Sequence, residues 1–147
     1  NGIQAIDLVT RKLPQSGGEH IHGYIAELRA EAEALRKSNL AGLGRSADRL
    51  DAAIGDLEGA TRYLQAALAE GRMNEALAGA TPYLRLFGLA AGGAYLARAA
   101  LASGESSRTA LLRFFSENLI GECGALRDRV ENGAESLESA AESALAV

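Results

Sequence analysis

The first group of residues able to do chemistry is Glu19-His20-Ile21-His22. Glu19 and His22 have the i, i+3 spacing that helical di-iron sites use, but such a site needs a second copy of the motif and further glutamates from facing helices. Both histidines of the chain lie in this one segment, so a second motif is missing. The pattern therefore predicts a solvated start of a helix and no metal site.

The other reactive side chains are a lone cysteine and two arginines in an apolar stretch. Cys123 falls on the apolar stripe of a helical segment with no histidine near it in sequence, which favours a buried thiol over a nucleophile. A single cysteine excludes an internal disulfide and is typical of a reducing compartment. Arg85 and Arg98 flank twelve uncharged residues. They are expected to pair with acids or to reach the surface along their stems, with contact to a neighbouring domain or ligand as the alternative.

No other pattern predicts catalysis. Gly88, Gly92 and Gly93 lie in a helical pattern without a preceding strand, which favours close helix packing over a phosphate-binding loop. No Ser-His-Asp, Cys-His or paired-carboxylate arrangement has a spacing specific enough to indicate an active site. We therefore expect no catalytic residue within this chain.

The composition predicts an all-α protein. Among 147 residues there are 30 alanines and 22 leucines, whereas Ile, Val and Thr together number 13. Strong helix formers thus dominate, and the β-branched residues that favour strands are scarce. The net charge of −4 is mild and the charges are interspersed, so the sequence does not indicate a nucleic-acid-binding surface.

Proline, glycine and apolar stripes divide the chain into helices. We predict a short helix over residues 2–13 and long helices over 18–38, 46–70, 74–103 and 107–132. Short turns between long helices are typical of an antiparallel up-and-down bundle, here four long helices plus the short N-terminal one. Pro82 leaves open whether 74–103 is one kinked helix or two. The tail from Glu135 onward is expected to fray.

The stretch from Thr81 to Ala102 is apolar on nearly all sides, so it is predicted to lie in the middle of the bundle. Its uncharged run is too short to cross a bilayer, which needs about 20 apolar residues. The predicted core combines this helix with the stripes of its neighbours. Its members are Ile25, Leu28, Leu50, Ile54, Leu57, Leu64, Leu84, Ala91, Tyr95, Leu112, Phe115 and Leu119.

Three parts of the chain resemble the acyl-CoA dehydrogenase family. The opening residues Asn1-Gly2-Ile3-Gln4-Ala5, with Asp7-Leu8 and Arg11-Lys12-Leu13, are similar to the segment that follows the catalytic glutamate in those flavoenzymes. The runs Tyr83-Leu84-Arg85-Leu86-Phe87-Gly88 and Arg113-Phe114-Phe115-Ser116-Glu117-Asn118 resemble the extra C-terminal helical domain of a long subgroup. That subgroup includes enzymes acting on 3-methylmercaptopropionyl-CoA and related thioesters.

The resemblance implies FAD-dependent α,β-dehydrogenation of an acyl-CoA thioester in a longer parent protein. The catalytic glutamate, the flavin-binding sheet and the thioester pocket would all precede Asn1. Residues 1–13 would be the tail of the preceding dehydrogenase domain, within a single helical domain over 1–147. Of the flavin-adjacent residues, only Asn1, Gly2 and Gln4 carry over, and Gly2 stands where related enzymes often have a longer polar side chain.

The leading interpretation is a structural and interfacial C-terminal domain that is inactive alone and holds no FAD of its own. Its expected partners are the preceding dehydrogenase domain, further copies of the parent in a homo-oligomer, and an electron-transfer flavoprotein, without nucleic acid or a membrane span. The expected compartment is the cytoplasm. The alternative is a free-standing helical protein-interaction module with no flavin chemistry.

Overall fold

A computed structural model describes residues 2–145, and this part of the chain contains no strand, which confirms the all-α prediction. Seven α-helices occupy most of these described residues. They are α1 Ile3–Asp7, α2 Glu19–Lys37, α3 Ser46–Ala69, α4 Met73–Ala78, α5 Ala80–Ser103, α6 Ser106–Asn118 and α7 Cys123–Leu145. A π-helical turn, Leu8–Lys12, continues α1, and short 3₁₀ turns cover Gln15–Gly18 and Ile120–Glu122.

Helices α2 and α3 run antiparallel, as their matching stripes predict. His22 near the start of α2 contacts Gln65 near the end of α3, and Arg36 near the end of α2 contacts Asp51 in the first half of α3. On the charged side of α2, Arg29 reaches across to Asp51 at 3.0 Å and to Glu58 at 2.8 Å. These partly exposed pairs align the two helices more than they stabilise them.

The prediction of four long helices differs from the structure in two places. The segment predicted as one helix over 74–103 is two, α4 and α5, which meet at Gly79. Pro82 is the third residue of α5, where the backbone nitrogen has no partner inside the helix, so it costs no hydrogen bond. A β-carbon at Gly79 would come within 3.2–3.3 Å of Leu64 and Val130, so this junction fits tightly between α3 and α7.

The segment predicted as one helix over 107–132 is also two. Helix α6 ends at Asn118, a 3₁₀ turn follows, and α7 begins at Cys123. The turn places Ile120 in the core beside α5. Helix α7 then continues to Leu145, so the tail predicted to fray is helical in the structure.

The N-terminal helix packs its inner side on the bundle through Ala5, Val9 and Leu13, all buried. Their steps of four residues drift around an α-helix, which repeats every 3.6 residues. The π-helical turn is wider, with the Leu13 amide donating to the Leu8 carbonyl at 3.0 Å, and this keeps the three side chains on one side.

The residues between this helix and α2 form a tight corner instead of the loose linker that proline and glycine indicate. Ser16, Gly17 and Gly18 have φ angles of 54°, 65° and 89°, three consecutive left-handed residues. The Gln65 side chain lies against Gly18 and donates to the Leu13 carbonyl at 3.4 Å. The corner is therefore fixed against α3.

Helix α5 is contacted by α2, α3, α6 and α7 and holds the largest buried side chain, Tyr83. By length and composition it would also be able to cross a membrane, a test that the core helix of a bundle passes as well. Its apolar residues do not all face inward. Leu84 and Tyr95, both predicted in the core, are 38% and 50% exposed, while Tyr83 and Leu86 are buried in their place.

The rest of the predicted core is largely confirmed. Phe115 and Leu119 are half-buried rather than buried. The eight other predicted core residues are buried, namely Ile25, Leu28, Leu50, Ile54, Leu57, Leu64, Ala91 and Leu112. The matching stripes of α2 and α3 therefore located the core correctly, and the errors lie on α5 and on the α6–α7 segment.

The glycines of α5 differ in their surroundings. A β-carbon on Gly93 would lie 2.7 Å from Ile120 Cδ1 and 2.9 Å from Leu50 Cδ1, and one on Gly92 would lie 3.4 Å from Phe115 Cζ. Close packing thus explains Gly93 as predicted, whereas a β-carbon on Gly92 would make only an ordinary van der Waals contact. Gly88 is exposed, with no atom within 4 Å of the position of a β-carbon, so close packing does not explain it.

Alanine at these two glycines is expected to have opposite effects on stability. Gly88→Ala should raise the free energy of unfolding by about 0.5–1 kcal/mol, because glycine is a poor helix former and the site is open. Gly93→Ala should lower it by about 1 kcal/mol, since the overpacking against Ile120 and Leu50 outweighs the same helical gain. Urea unfolding followed by circular dichroism measures both. Equal stabilisation by the two variants would contradict the close approach at Gly93.

Candidate functional site

Two of the three residues predicted to border a flavin, Gly2 and Gln4, lie at the start of α1. Asn1 lies outside the described residues. Gly2 caps α1, and its carbonyl accepts a hydrogen bond from the Ile6 amide at 2.9 Å. Gln4 is exposed on the first turn. Gly2 and Gln4 thus lie close together at the start of α1, with Gly2 half-buried and Gln4 exposed.

The conformation of Gly2 gives a physical reason for the residue type. Its φ of 76° is left-handed, a region that residues with a β-carbon avoid, although no neighbouring atom would obstruct a β-carbon there. A longer polar side chain at this position would therefore be strained by the backbone and not by crowding. Gly2 can offer only backbone groups to a ligand.

A depression lined by residues that follow Gly2 and Gln4 in the sequence lies between the π-helical turn, α2 and α5. It has a volume of about 310 Å³, with Leu8, Leu13 and Phe87 among its apolar lining and Lys12 and His20 at its edge. This volume is at the lower limit of small-molecule pockets. The depression is too small for a dinucleotide.

Aromatic side chains fix one wall of this depression. The rings of Tyr24 and Phe87 stack at 5.6 Å with an interplanar angle of 8°, and Phe87 meets Tyr83 edge to face at 6.2 Å. The Tyr24 hydroxyl donates to that of Tyr95 at 3.1 Å, and Arg98 lies over the Tyr95 ring. This explains why Tyr95 is exposed, since it serves the surface network instead of the core.

The two arginines of α5 pair with acids, as expected. Arg85 contacts Glu122 at 2.8 Å, and Arg98 contacts Glu31 at 2.8 Å. These pairs join α5 to the turn before α7 and to α2. The sequence could indicate the pairing but not the partners, because Glu31 and Glu122 are far from their arginines in the chain.

Histidine and cysteine take structural positions. His22 Nε2 lies 3.0 Å from Gln65 Oε1 on the surface. Across residues 2–145, no three His, Cys, Asp or Glu side chains are grouped so as to hold a metal ion. Cys123 is buried as predicted, and this burial, with Asp56 and Glu122 as lesser causes, raises the pKa of its thiol to about 12. A thiol of this kind is inert.

One buried polar contact was not foreseen. The Thr61 hydroxyl donates to the Leu57 carbonyl at 2.7 Å, so the Tyr83 hydroxyl, 2.8 Å away, donates to Thr61. Burial raises the pKa of Tyr83 to about 12. The contact joins α3 to α5 in the centre of the core.

Comparison with known families gives one match. The chain matches the family model described as acetyl-CoA dehydrogenase C-terminal like over residues 19–141, well over half of its length. A comparison with curated proteins found no match.

The buried hydroxyl of Tyr83 should make the stability of the protein depend on pH in the alkaline range. Its folded pKa lies above the ordinary value near 10, so its contribution to stability is complete below about pH 10 and is lost as the pH rises toward 12. Tyr83→Phe should lower the free energy of unfolding at pH 7 by about 0.5–1.5 kcal/mol through the lost hydrogen bond. It should also flatten the alkaline loss, as measured by urea unfolding from pH 7 to 11.5. An unchanged alkaline slope would argue against burial of the hydroxyl.

A further prediction concerns Cys123. In the folded protein at pH 8, an aromatic disulfide reagent should modify this thiol only at the rate of global unfolding, because the group is buried and protonated. Addition of urea above the unfolding midpoint should release one fast-reacting thiol. Rapid modification without denaturant would show that the α7 start opens locally.

Proposed function

Since the chain belongs to the acetyl-CoA dehydrogenase C-terminal-like family, we propose that it is the C-terminal helical domain of an FAD-dependent acyl-CoA dehydrogenase. The observation that carries the proposal is the match over residues 19–141. The runs around Tyr83 and Arg113 further favour the long subgroup that acts on 3-methylmercaptopropionyl-CoA and related thioesters. The parent would remove hydrogens from the α and β carbons of an acyl-CoA.

The domain's part in that protein is structural and interfacial. Arg85 and Arg98 are paired across helices, and Cys123 is buried. Neither arrangement offers a base to an acyl-CoA, because a catalytic base must reach the substrate proton at hydrogen-bond distance. The base would belong to the preceding dehydrogenase domain.

The junction with that domain is expected at the corner of Ser16, Gly17 and Gly18. The family match begins at Glu19, directly after the corner, which supports assigning residues 1–13 to the tail of the preceding domain. Helix α1 also exposes Ile3 and Ile6, spaced three apart on one side, and an apolar side of this kind suits contact with another domain.

FAD itself does not fit the residues of this chain alone. A flavin site must bury the ring system and supply donors for the pyrophosphate, commonly at helix starts or glycine turns. Gln4 is exposed, Gly2 offers only backbone groups, and the neighbouring depression of about 310 Å³ is too small for a dinucleotide. We place the cofactor in the preceding domain, with Asn1, Gly2 and Gln4 at most bordering it.

The remaining parts of the proposal concern the parent protein. We expect it to form a homo-oligomer in the cytoplasm and to pass electrons to an electron-transfer flavoprotein. The competing function is a free-standing interaction module, and it is favoured by the exposed apolar side chains Leu77, Leu111 and Leu137 on three different helices.

The test compares this chain with the longer protein that contains it. Titration of FAD, followed by flavin fluorescence and calorimetry, should detect no binding to residues 1–147 and stoichiometric binding to the longer protein. An acyl-CoA should be oxidised by the longer protein only. Micromolar FAD binding by this chain alone would mean that the helices contain a cofactor site. Failure of the longer protein to bind FAD would favour the interaction module.

A further inference from the structure

An apolar groove lies between α4 and the C-terminal part of α7. Leu77 on α4 faces it from one side, and Leu137 and Ala141 on α7 from the other, in a depression of about 240 Å³. Leu77 is 39% exposed and Leu137 is 59% exposed, so these side chains are open to solvent at the groove.

The groove continues as an apolar stripe along α7. Ala134, Leu137, Ala141 and Leu145 step by 3, 4 and 4 residues, the repeat of one side of a helix. Ala134 is buried, whereas every residue from 135 to 145 is exposed. An amphipathic helical segment thus extends beyond the bundle with its apolar stripe uncovered.

The same segment is strongly acidic. Residues 130–145 contain four glutamates, at 131, 135, 138 and 142, and neither lysine nor arginine. On the other side of Glu138 lies a second depression of about 370 Å³, lined by Tyr63, Glu75, Glu131 and Glu135. Glu138 borders both the apolar groove and this acidic depression.

Three of these charges are uncompensated. Glu75 pairs with Arg72, and Glu131 pairs with Arg127 at 2.8 Å. Within residues 2–145, Glu135, Glu138 and Glu142 form no ion pair, although Glu138 accepts a hydrogen bond from the Asn74 amide at 3.3 Å. Arg72 lies in an adjoining depression with Glu138, but it is already paired with Glu70 and Glu75. Glu138 at the groove, and Glu135 and Glu142 along α7, therefore present negative charge that no ion pair neutralises.

We propose that this surface docks an amphipathic helix of a partner protein. It consists of Leu77, Leu137, Ala141 and Glu138 at the groove, with Glu135 and Glu142 beside it on α7, and these three are called the rim glutamates. The partner helix carries aliphatic side chains on one side and lysine or arginine beside them. The aliphatic side chains fill the groove between α4 and α7, as in other helix-in-groove complexes, and the cations meet the glutamates. Charge complementarity selects this occupant.

A second copy of the chain suits the surface less well. Two identical faces in symmetric contact would place the rim glutamates of one copy against those of the other, and like charges at an interface oppose association. This docking surface does not depend on the proposed dehydrogenase function, because it is inferred only from the charges and exposure of side chains on α4 and α7.

The probe is a synthetic helical peptide of about 18 residues, five turns long, made of leucine on one side and lysine on the other. A second peptide has glutamate in place of every lysine. Calorimetric titration into the full chain at low salt should show binding of the lysine peptide only. The affinity should fall by about tenfold or more between 50 and 500 mM salt, because screening weakens exposed charge pairs.

Variants locate the contact. Leu137→Ala should weaken binding by about tenfold, the effect of truncating a buried aliphatic anchor. Leu111→Ala is the matched control, because Leu111 is a leucine that is 50% exposed on α6. It follows Arg108 by three residues and is not part of the surface with the rim glutamates. The double variant Glu135→Lys/Glu138→Lys should bind the glutamate peptide in preference to the lysine peptide. Circular dichroism should show the same fold for all variants, since the altered side chains are exposed.

Three results would overturn the proposal. The first is an absence of lysine-peptide binding to the folded wild-type chain, and the second is equal binding of both peptides. The third is self-association of the wild-type chain in sedimentation that Leu137→Glu abolishes, which would make a second copy the occupant. Inversion of peptide preference by the double variant, with no effect of Leu111→Ala, would support it.

Discussion

The close approach of helices to α5 is the constraint on which the structure depends. Ile120 and Leu50 occupy the space where Gly93 lacks a side chain. Small residues allow this because helix axes separate by the size of the side chains between them. The turn at Ile120, between α6 and α7, is part of the same packing because it brings the Ile120 side chain against α5.

Polar contacts then determine how the neighbouring helices are aligned around α5. Arg98 connects its C-terminal half to α2, Arg85 connects its N-terminal half to the turn before α7, and Tyr83 connects its buried side to Thr61 of α3. The two exposed ion pairs contribute little stability individually. The buried hydroxyl pair matters more for specificity, because an unsatisfied hydroxyl in the core would be costly.

The sequence predicted the fold where apolar residues formed one stripe and failed where they did not. The stripes of α2 and α3 located Leu28, Ile54 and Leu57 in the core correctly. On α5 apolar residues occur on all sides, so the inward side could not be determined, and Leu84 was placed in the core instead of Tyr83. At Gly79, where α4 meets α5, a β-carbon would crowd Leu64 and Val130, and such contacts between distant helices are not contained in local sequence patterns.

The candidate site was predictable only in part for a different reason. The flavin border at Asn1, Gly2 and Gln4 came from a resemblance, and the structure adds the backbone conformation of Gly2 without adding a ligand. The acidic rim of α7 was visible in the sequence as glutamates without cations. Its meaning depended on the groove beside Leu77, which arises only when α4 packs against α7.

The corner at Ser16, Gly17 and Gly18 has a mechanical consequence. Three consecutive left-handed residues, with the Gln65 side chain against Gly18, leave few torsional degrees of freedom between α1 and α2. A polypeptide joined ahead of α1 would thus move with the bundle as one rigid body, and its orientation would not vary as it would on a flexible linker. A residue with a β-carbon at Gly18 would be strained by its φ of 89° and would displace the Gln65 side chain, which removes one of the contacts that hold the corner against α3.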